Sequence, residues 1–278
     1  MASRHKRSHH IRSIPQVKRR FILRAAVILC SIAAVPSCKS KQASEPPRIE
    51  ELELGSKVKS SGKKLMALAH GMHRLHAKTK ANDTAIIAVH GYGSRGYEWV
   101  YPLHQFAKAN ARVFFYRWDW QVCPDIGAQT LSSHLNKILG EEPNLDRIRI
   151  FGHSYGGVIA ALAGANYRGS VPLELNLIAA PLAGMSRLAT NCDFKGFTLA
   201  QPNPPTTWFE WRTQHRLDGA FKSLENDPQN VSISGSKVVR LPETYRNHRL
   251  GHNWSISWVS EQPDNLSPAF PIPKKRVQ

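Results

Sequence analysis

From Thr84 to Val259 two kinds of apolar pattern alternate along the chain. Short continuous runs, Thr84-Ala85-Ile86-Ile87-Ala88-Val89, 112–118, Ile148-Arg149-Ile150-Phe151 and 173–179, have the length and composition of strands buried on both faces. Between them, 97–109, 126–139 and the small-residue stretch Val158-Ile159-Ala160-Ala161-Leu162-Ala163 read as helices that lie against a sheet. Strand and helix in regular succession predict a mostly parallel, doubly wound α/β sheet with helices on both faces. The runs at 206–213 and 237–241 extend it to about six strands. Ahead of Thr84, the spacing of Leu65, Met66, Leu68, Ala69, Met72 and Leu75 predicts an amphipathic helix over 64–78.

The first 37 residues differ in kind: eight lysines and arginines without a single acid, then an apolar stretch over 25–35 too short to remain as a membrane-spanning helix. This pattern predicts a secretory signal over 1–37. Val35-Pro36-Ser37-Cys38 resembles a bacterial lipobox, which implies acylation of Cys38 and a lipid anchor in the membrane. The alternative is an ordinary signal cleaved near Ser37, and Lys18-Arg19-Arg20-Phe21-Ile22-Leu23-Arg24 is similar to a twin-arginine export signal. A polar, Pro-containing tether over 38–56, a catalytic domain over 57–262 and a Pro-rich basic tail over 263–278 complete the expected organisation.

Charge changes the picture less than its size suggests. The formal net charge is +18, and about +10 once the eight signal cations are set aside. Such a balance first suggests nucleic acid, but an exported protein meets anionic lipid head groups and acidic glycans instead, so no nucleic-acid partner is expected. Of the four cysteines, Cys123 and Cys192 fall in the domain, where an oxidising compartment lets them pair or leaves two independent thiols. His70, His73 and His76 among lysines read as solvated surface rather than a metal site, and neither metal nor cofactor is expected.

Candidate chemistry starts at Gly152-His153-Ser154-Tyr155-Gly156, a G-x-S-x-G turn entered from an apolar strand and left through a helix. Glycines two before and two after Ser154 suit a tight, strained turn that exposes a nucleophilic hydroxyl. A second motif, His90-Gly91-Tyr92-Gly93, ends the first strand of the sheet. With these two motifs the chain resembles the α/β-hydrolase superfamily, in particular its compact lipases and esterases. The resemblance implies an oxyanion site at the backbone N–H groups of Tyr92 and Tyr155, supported by His90, Gly91, Gly152 and Gly156. It further implies an acid and then a histidine later in the chain. Asp218, in an Asp-Gly just past the 206–213 strand, is similar to the family's acid, with Asp227 and Glu225 in reserve. His252, in Leu250-Gly251-His252-Asn253, is similar to its base, ahead of His248, while His153 is expected to pack or bond beneath the turn. The segment 182–205 reads as a lid or acyl-binding loop, or as a loosely packed connector.

The minimal version of the fold, without its two leading strands, is therefore expected, with cleavage of carboxylic esters through an acyl-enzyme on Ser154. Amidase, thioesterase and phospholipase chemistry would use the same groups, and a non-catalytic binding module at the envelope is the alternative of a different class. The expected partners are an ester or lipid substrate and the membrane; oligomeric state stays open.

Overall fold

The structure is a computed structural model that describes residues 45–77, 84–109, 111–198 and 206–262. The predicted signal, Cys38, its anchor and the tail from 263 lie outside the described residues. In chain order the first elements are α1 (Val58–Ala67), β1 (Gly71–Ala77), β2 (Thr84–Val89), α2 (Tyr97–Lys108), β3 (Arg112–Arg117) and α3 (Pro124–Glu141). Next come β4 (Arg147–His153), α4 (Tyr155–Ala165), β5 (Leu173–Ile178), α5 (Ser186–Cys192), β6 (Thr206–Arg212) and β7 (Lys237–Arg240). The short hairpin β8 (Thr244–Tyr245) and β9 (His248–Arg249) leads to α6 (Trp254–Ser260).

Seven strands form one sheet in the order β1-β3-β2-β4-β5-β6-β7. All neighbours from β3 to β7 are parallel, and β1 alone runs antiparallel, against β3. Alternation along the central strands feeds two cores. Ile87 and Val89 of β2 pack with Leu131, Leu135, Val158 and Ile159 of α3 and α4. Ile86 and Ala88 pack with Leu65, Trp99, Leu103 and Ile256 of α1, α2 and α6 on the other face. Burial on both faces is what makes these strands continuous apolar runs in the sequence.

Two expectations are corrected at the front of the domain. The helix predicted over 64–78 ends at Ala67, and Gly71–Ala77 is a strand. Met72 and Leu75 stand three apart as on a helix, but in a strand an odd separation sends them to opposite faces, and each meets its own core. One leading strand is thus present where none was expected. The tether assigned to 38–56 is also too long, because Ile49 and Leu52 are buried in the second core.

The carboxyl ends of the parallel strands share one edge, where open α/β sheets collect functional groups. Since β1 is antiparallel, its first residue, Gly71, pairs with the last of β3, Arg117, at that same edge. The end of α1 is held there too, by a hydrogen bond of 3.3 Å from Arg117 Nε to the Met66 carbonyl.

Candidate active site

Between β4 and α4 a single residue makes the turn. Ser154 has φ 55° and ψ −123°, a left-handed conformation that costs an L-residue on the order of 1–3 kcal/mol and persists where the surroundings over-determine it. Those surroundings are backbone. A Cβ on Gly156 would lie 2.4 Å from the carbonyl oxygens of both Val89 and His90, and one on Gly152 would lie 2.7 Å from the Gly156 carbonyl. The two glycines therefore let α4 start against the end of β2, which lifts the Ser154 side chain to the sheet edge.

Asp218 follows β6 and is fully buried. Its Oδ2 accepts from Thr213 Oγ1 at 2.6 Å and from His252 Nδ1 at 3.0 Å, and its Oδ1 accepts the Ala220 N–H at 2.8 Å. Burial pushes this carboxyl up, but the hydrogen bonds and charge of His252, with those of Thr213 and Ala220, outweigh it and hold it below its ordinary value. Asp218 is thus the ionised acceptor, Nδ1 of His252 carries the proton, and Nε2 is left to accept one. Phe221 packs edge-on against the His252 ring at 4.9 Å between centroids.

Ser154 and His252 both line two adjoining cavities. The first, about 340 Å³, has mostly apolar walls that include Trp120, Val122, Met185, Leu188 and Phe221. The second, about 140 Å³, is polar and includes Ser94, Glu98 and Asn253. No hydrogen bond joins the Ser154 hydroxyl to His252 among the described residues; what places them together is the pair of cavities whose walls they share.

Tyr92 and Tyr155 both face the larger cavity. Among the described residues neither backbone N–H is taken by another backbone group, because Tyr155 opens α4 and Tyr92 sits in the loop after β2. Two unengaged donors thus flank the serine. His90 braces the loop from beneath: Nδ1 donates to the Gly91 carbonyl at 3.0 Å, Nε2 accepts the Trp118 N–H at 3.3 Å, and Trp118 Nε1 donates to the His90 carbonyl at 2.8 Å. Burial keeps His90 neutral, pushed down to about 3.

The reserve residues are elsewhere. His248 lies exposed on β9 and stacks on Trp254 at 5.1 Å. Asp227 pairs with Arg240 at 3.1 Å, and Glu225 is exposed. His153 is buried beneath the turn, as its place in the strand requires, and Nε2 donates to the His252 carbonyl at 3.0 Å. His73 bonds the Ala69 carbonyl at 2.7 Å, and among the described residues no group of three His, Cys, Asp or Glu side chains is disposed to hold a metal.

Of the segment 182–205, residues 199–205 lie outside the described residues; over the larger cavity 182–198 is anchored near its two ends and by one crosslink, while α5 itself is half-buried to exposed. Leu182 and Phe197 are buried, and Phe197 lies 5.5 Å from the Trp208 ring. Cys192 is joined to Cys123 by a disulfide with Cα atoms 5.4 Å apart. Arg187 closes the other side of α5, donating to the Tyr92 hydroxyl at 2.7 Å with its guanidinium 4.3 Å from the ring centroid. Neither Arg187–Tyr92 nor Thr213–Asp218 has a sequence signal: the first pair is 95 residues apart, and the second meets through the chain reversal after β6.

This sheet, with its serine turn after β4, a buried acid after β6 and a histidine beyond β7, defines an α/β hydrolase. The family model for the Alpha/beta hydrolase family matches residues 86–262, and the chain belongs to that family. Among curated proteins none matches. Solved structures similar to this chain include XC6422 from Xanthomonas campestris, an a/b serine hydrolase without lid, at 13% identity and TM-score 0.45, covering 68% of this chain and 83% of that one. Est1E from Butyrivibrio proteoclasticus is similar at 13% identity and TM-score 0.43, over 68% of this chain and 88% of that one. The Pyrococcus furiosus esterase Pf2001 is similar at 13% identity and TM-score 0.43, over 78% and 94%.

Proposed function

We propose that this hydrolase cleaves carboxylic esters through an acyl-enzyme on Ser154. His252 Nε2 takes the serine proton as the hydroxyl oxygen attacks the ester carbonyl, and Asp218 steadies the imidazolium that results. The Tyr92 and Tyr155 N–H groups receive the oxyanion, a contribution of about 3–4 kcal/mol for a well-placed donor. The imidazolium then protonates the departing alcohol. Water, deprotonated by the same imidazole, releases the acid and restores the serine.

One observation carries this reading: the 3.0 Å contact between His252 and the buried, doubly braced Asp218, at the edge where the strained Ser154 stands. The mostly apolar walls of the cavity beside the serine, with Arg187 as their one guanidinium, suit an acyl chain. We further propose export with a lipid anchor at Cys38. The Cys123–Cys192 disulfide supports the oxidising compartment that export would provide.

The test is labelling of the purified protein with a fluorophosphonate, alongside hydrolysis of a short p-nitrophenyl ester. Labelling at Ser154, lost with turnover in Ser154→Ala, is expected. An unlabelled but folded protein would make the chain a binding module instead.

A further inference from the structure

Beyond the polar chamber that Ser154 and His252 line, the rim continues into a groove of about 690 Å³ formed by Lys59, Lys63, Met66, Ala67, Ser94, Arg95 and Tyr97. The two hollows share Ser94, Arg95 and Tyr97, so the groove adjoins the chamber of the serine. Lys59 and Lys63 stand four apart on α1 and therefore present their ammonium groups on one face. Their neighbours Lys57 and Lys64 are engaged, by the Glu53 carboxylate and the Glu51 carbonyl, whereas Lys59, Lys63 and Arg95 have no ion pair among the described residues.

These cations are held together by backbone and not by chance proximity of long side chains. Gly62, between the two lysines, lies so close to the 95–97 loop that a Cβ there would meet the Tyr97 nitrogen at 2.3 Å and the Arg95 carbonyl at 2.7 Å. Gly96 reciprocates, with φ 79° and a Cβ position 2.4 Å from the Gly62 carbonyl. Glu98 lines the chamber but not the groove; one of its carboxylate oxygens accepts from the Ser94 hydroxyl, which ties the loop shared by the two hollows to α2. The chamber of Ser154 thus opens onto a groove whose charged side chains are three cations.

We infer that the alcohol side of the ester carries a phosphate, bound by Lys59, Lys63 and Arg95. The substrate class is an acyl ester of a phosphorylated alcohol, its acyl chain in the mostly apolar cavity. An arginine fork and lysine point charges on one wall suit phosphate oxygens, which take several charge-assisted hydrogen bonds at once. This inference rests on the ester-hydrolase reading of the same site.

The experiment compares octanoyl glycerol 3-phosphate with octanoyl glycerol, both monomeric, on the purified full-length protein at low and high salt. The phosphorylated ester is expected to show roughly tenfold or greater advantage in kcat/KM, through KM, the scale of one charge-assisted contact. Salt should erode the advantage. In K59Q/K63Q/R95Q, with folding checked by thermal unfolding, the ratio between the two esters should collapse toward one. Equal KM values in the parent, or an undiminished ratio in the variant, would overturn the inference. Retained hydrolysis of the neutral ester in that case would show that the fault lies here and not in the ester-hydrolase reading. Calorimetry on Ser154→Ala reads the same preference without turnover. If anionic vesicles bind but the monomeric phosphate ester does not, the groove is a membrane-docking surface, and the inference fails.

Discussion

His153 and His252 are joined through the backbone: Nε2 of the first donates to the carbonyl of the second at 3.0 Å, and the two rings lie 4.6 Å apart. The residue beside the nucleophile therefore holds the loop that carries the proposed base. Ser255 Oγ donates to the same carbonyl from the first turn of α6, so the loop is fixed from both sides. His153→Phe, which keeps an aromatic ring but no donor, should lose about 1 kcal/mol of stability. It should also lower kcat by roughly tenfold with KM little changed, because a small displacement of the base misaligns proton transfer. Steady-state kinetics on a p-nitrophenyl ester decide it; an unchanged kcat would show that Ser255 suffices.

The proton balance of the site sets a direction for acid sensitivity. Burial pushes His90 from 6.5 down to about 3 and, with repulsion from His252, holds His153 well below its ordinary value. A lowered folded-state value means that the folded protein binds fewer protons than the unfolded chain below 6.5. Their contribution to stability is complete above that pH and declines as pH falls toward about 3. Asp218, also lowered, adds loss in the same direction once the pH drops below 3.8. Urea midpoints should therefore be lower at pH 5 than at pH 7.5, and His90→Asn should flatten the slope. Equal midpoints would mean that the imidazoles charge without penalty.

Close backbone approach at the serine turn makes glycine replacement there unlike replacement elsewhere. Gly156→Ala puts a methyl group 2.4 Å from two carbonyl oxygens and should cost about 3 kcal/mol or prevent folding, as overpacking of rigid neighbours does. Gly140, inside α3, has nothing within 4 Å of a Cβ. Gly140→Ala should add about 0.5–1 kcal/mol through helix propensity. Thermal melts of the two variants test the contrast, and a stable Gly156→Ala would contradict the geometry of the turn.

Reduction of the Cys123–Cys192 disulfide should be felt in both stability and substrate choice. The bridge closes a sequence separation of 69, and opening such loops removes about 2–4 kcal/mol. Cys192 is also part of the apolar cavity wall. A C123S/C192S variant should therefore raise KM for long acyl chains more than for acetyl esters. A uniform change across a chain-length series would assign the bridge to stability alone.

The parts of this architecture that were legible in the sequence are those whose burial is uniform. β2 and β4 are covered on both sides, so no polar residue interrupts their apolar runs apart from Arg149, which pairs with Glu174 at 2.8 Å on the neighbouring strand. Asp218 and His252 were findable because each follows its strand at a recognisable dipeptide, and the structure brings them into contact. β1 resembles a helix in the sequence because its buried residues serve opposite faces at a helix-like spacing. The β8–β9 hairpin has no glycine to mark it, because its turn puts Arg246 and Asn247 at φ 48° and 61°. Thr213 looks in the sequence like the end of a strand and nothing more; that its hydroxyl braces Asp218 depends on a backbone reversal after β6 that no residue pattern announces.

The reversed direction of the outermost strand has an effect out of proportion to its seven residues. A strand aligned with its neighbours would begin at the far side of the sheet and deliver the preceding helix there. Because β1 begins beside Arg117, the helix before it is brought to the catalytic side, and its lysines become neighbours of the serine loop. Polarity at one border of the sheet thereby decides which charges a substrate meets on arrival. Evolution could alter that greeting by editing one helix, leaving the reacting groups untouched.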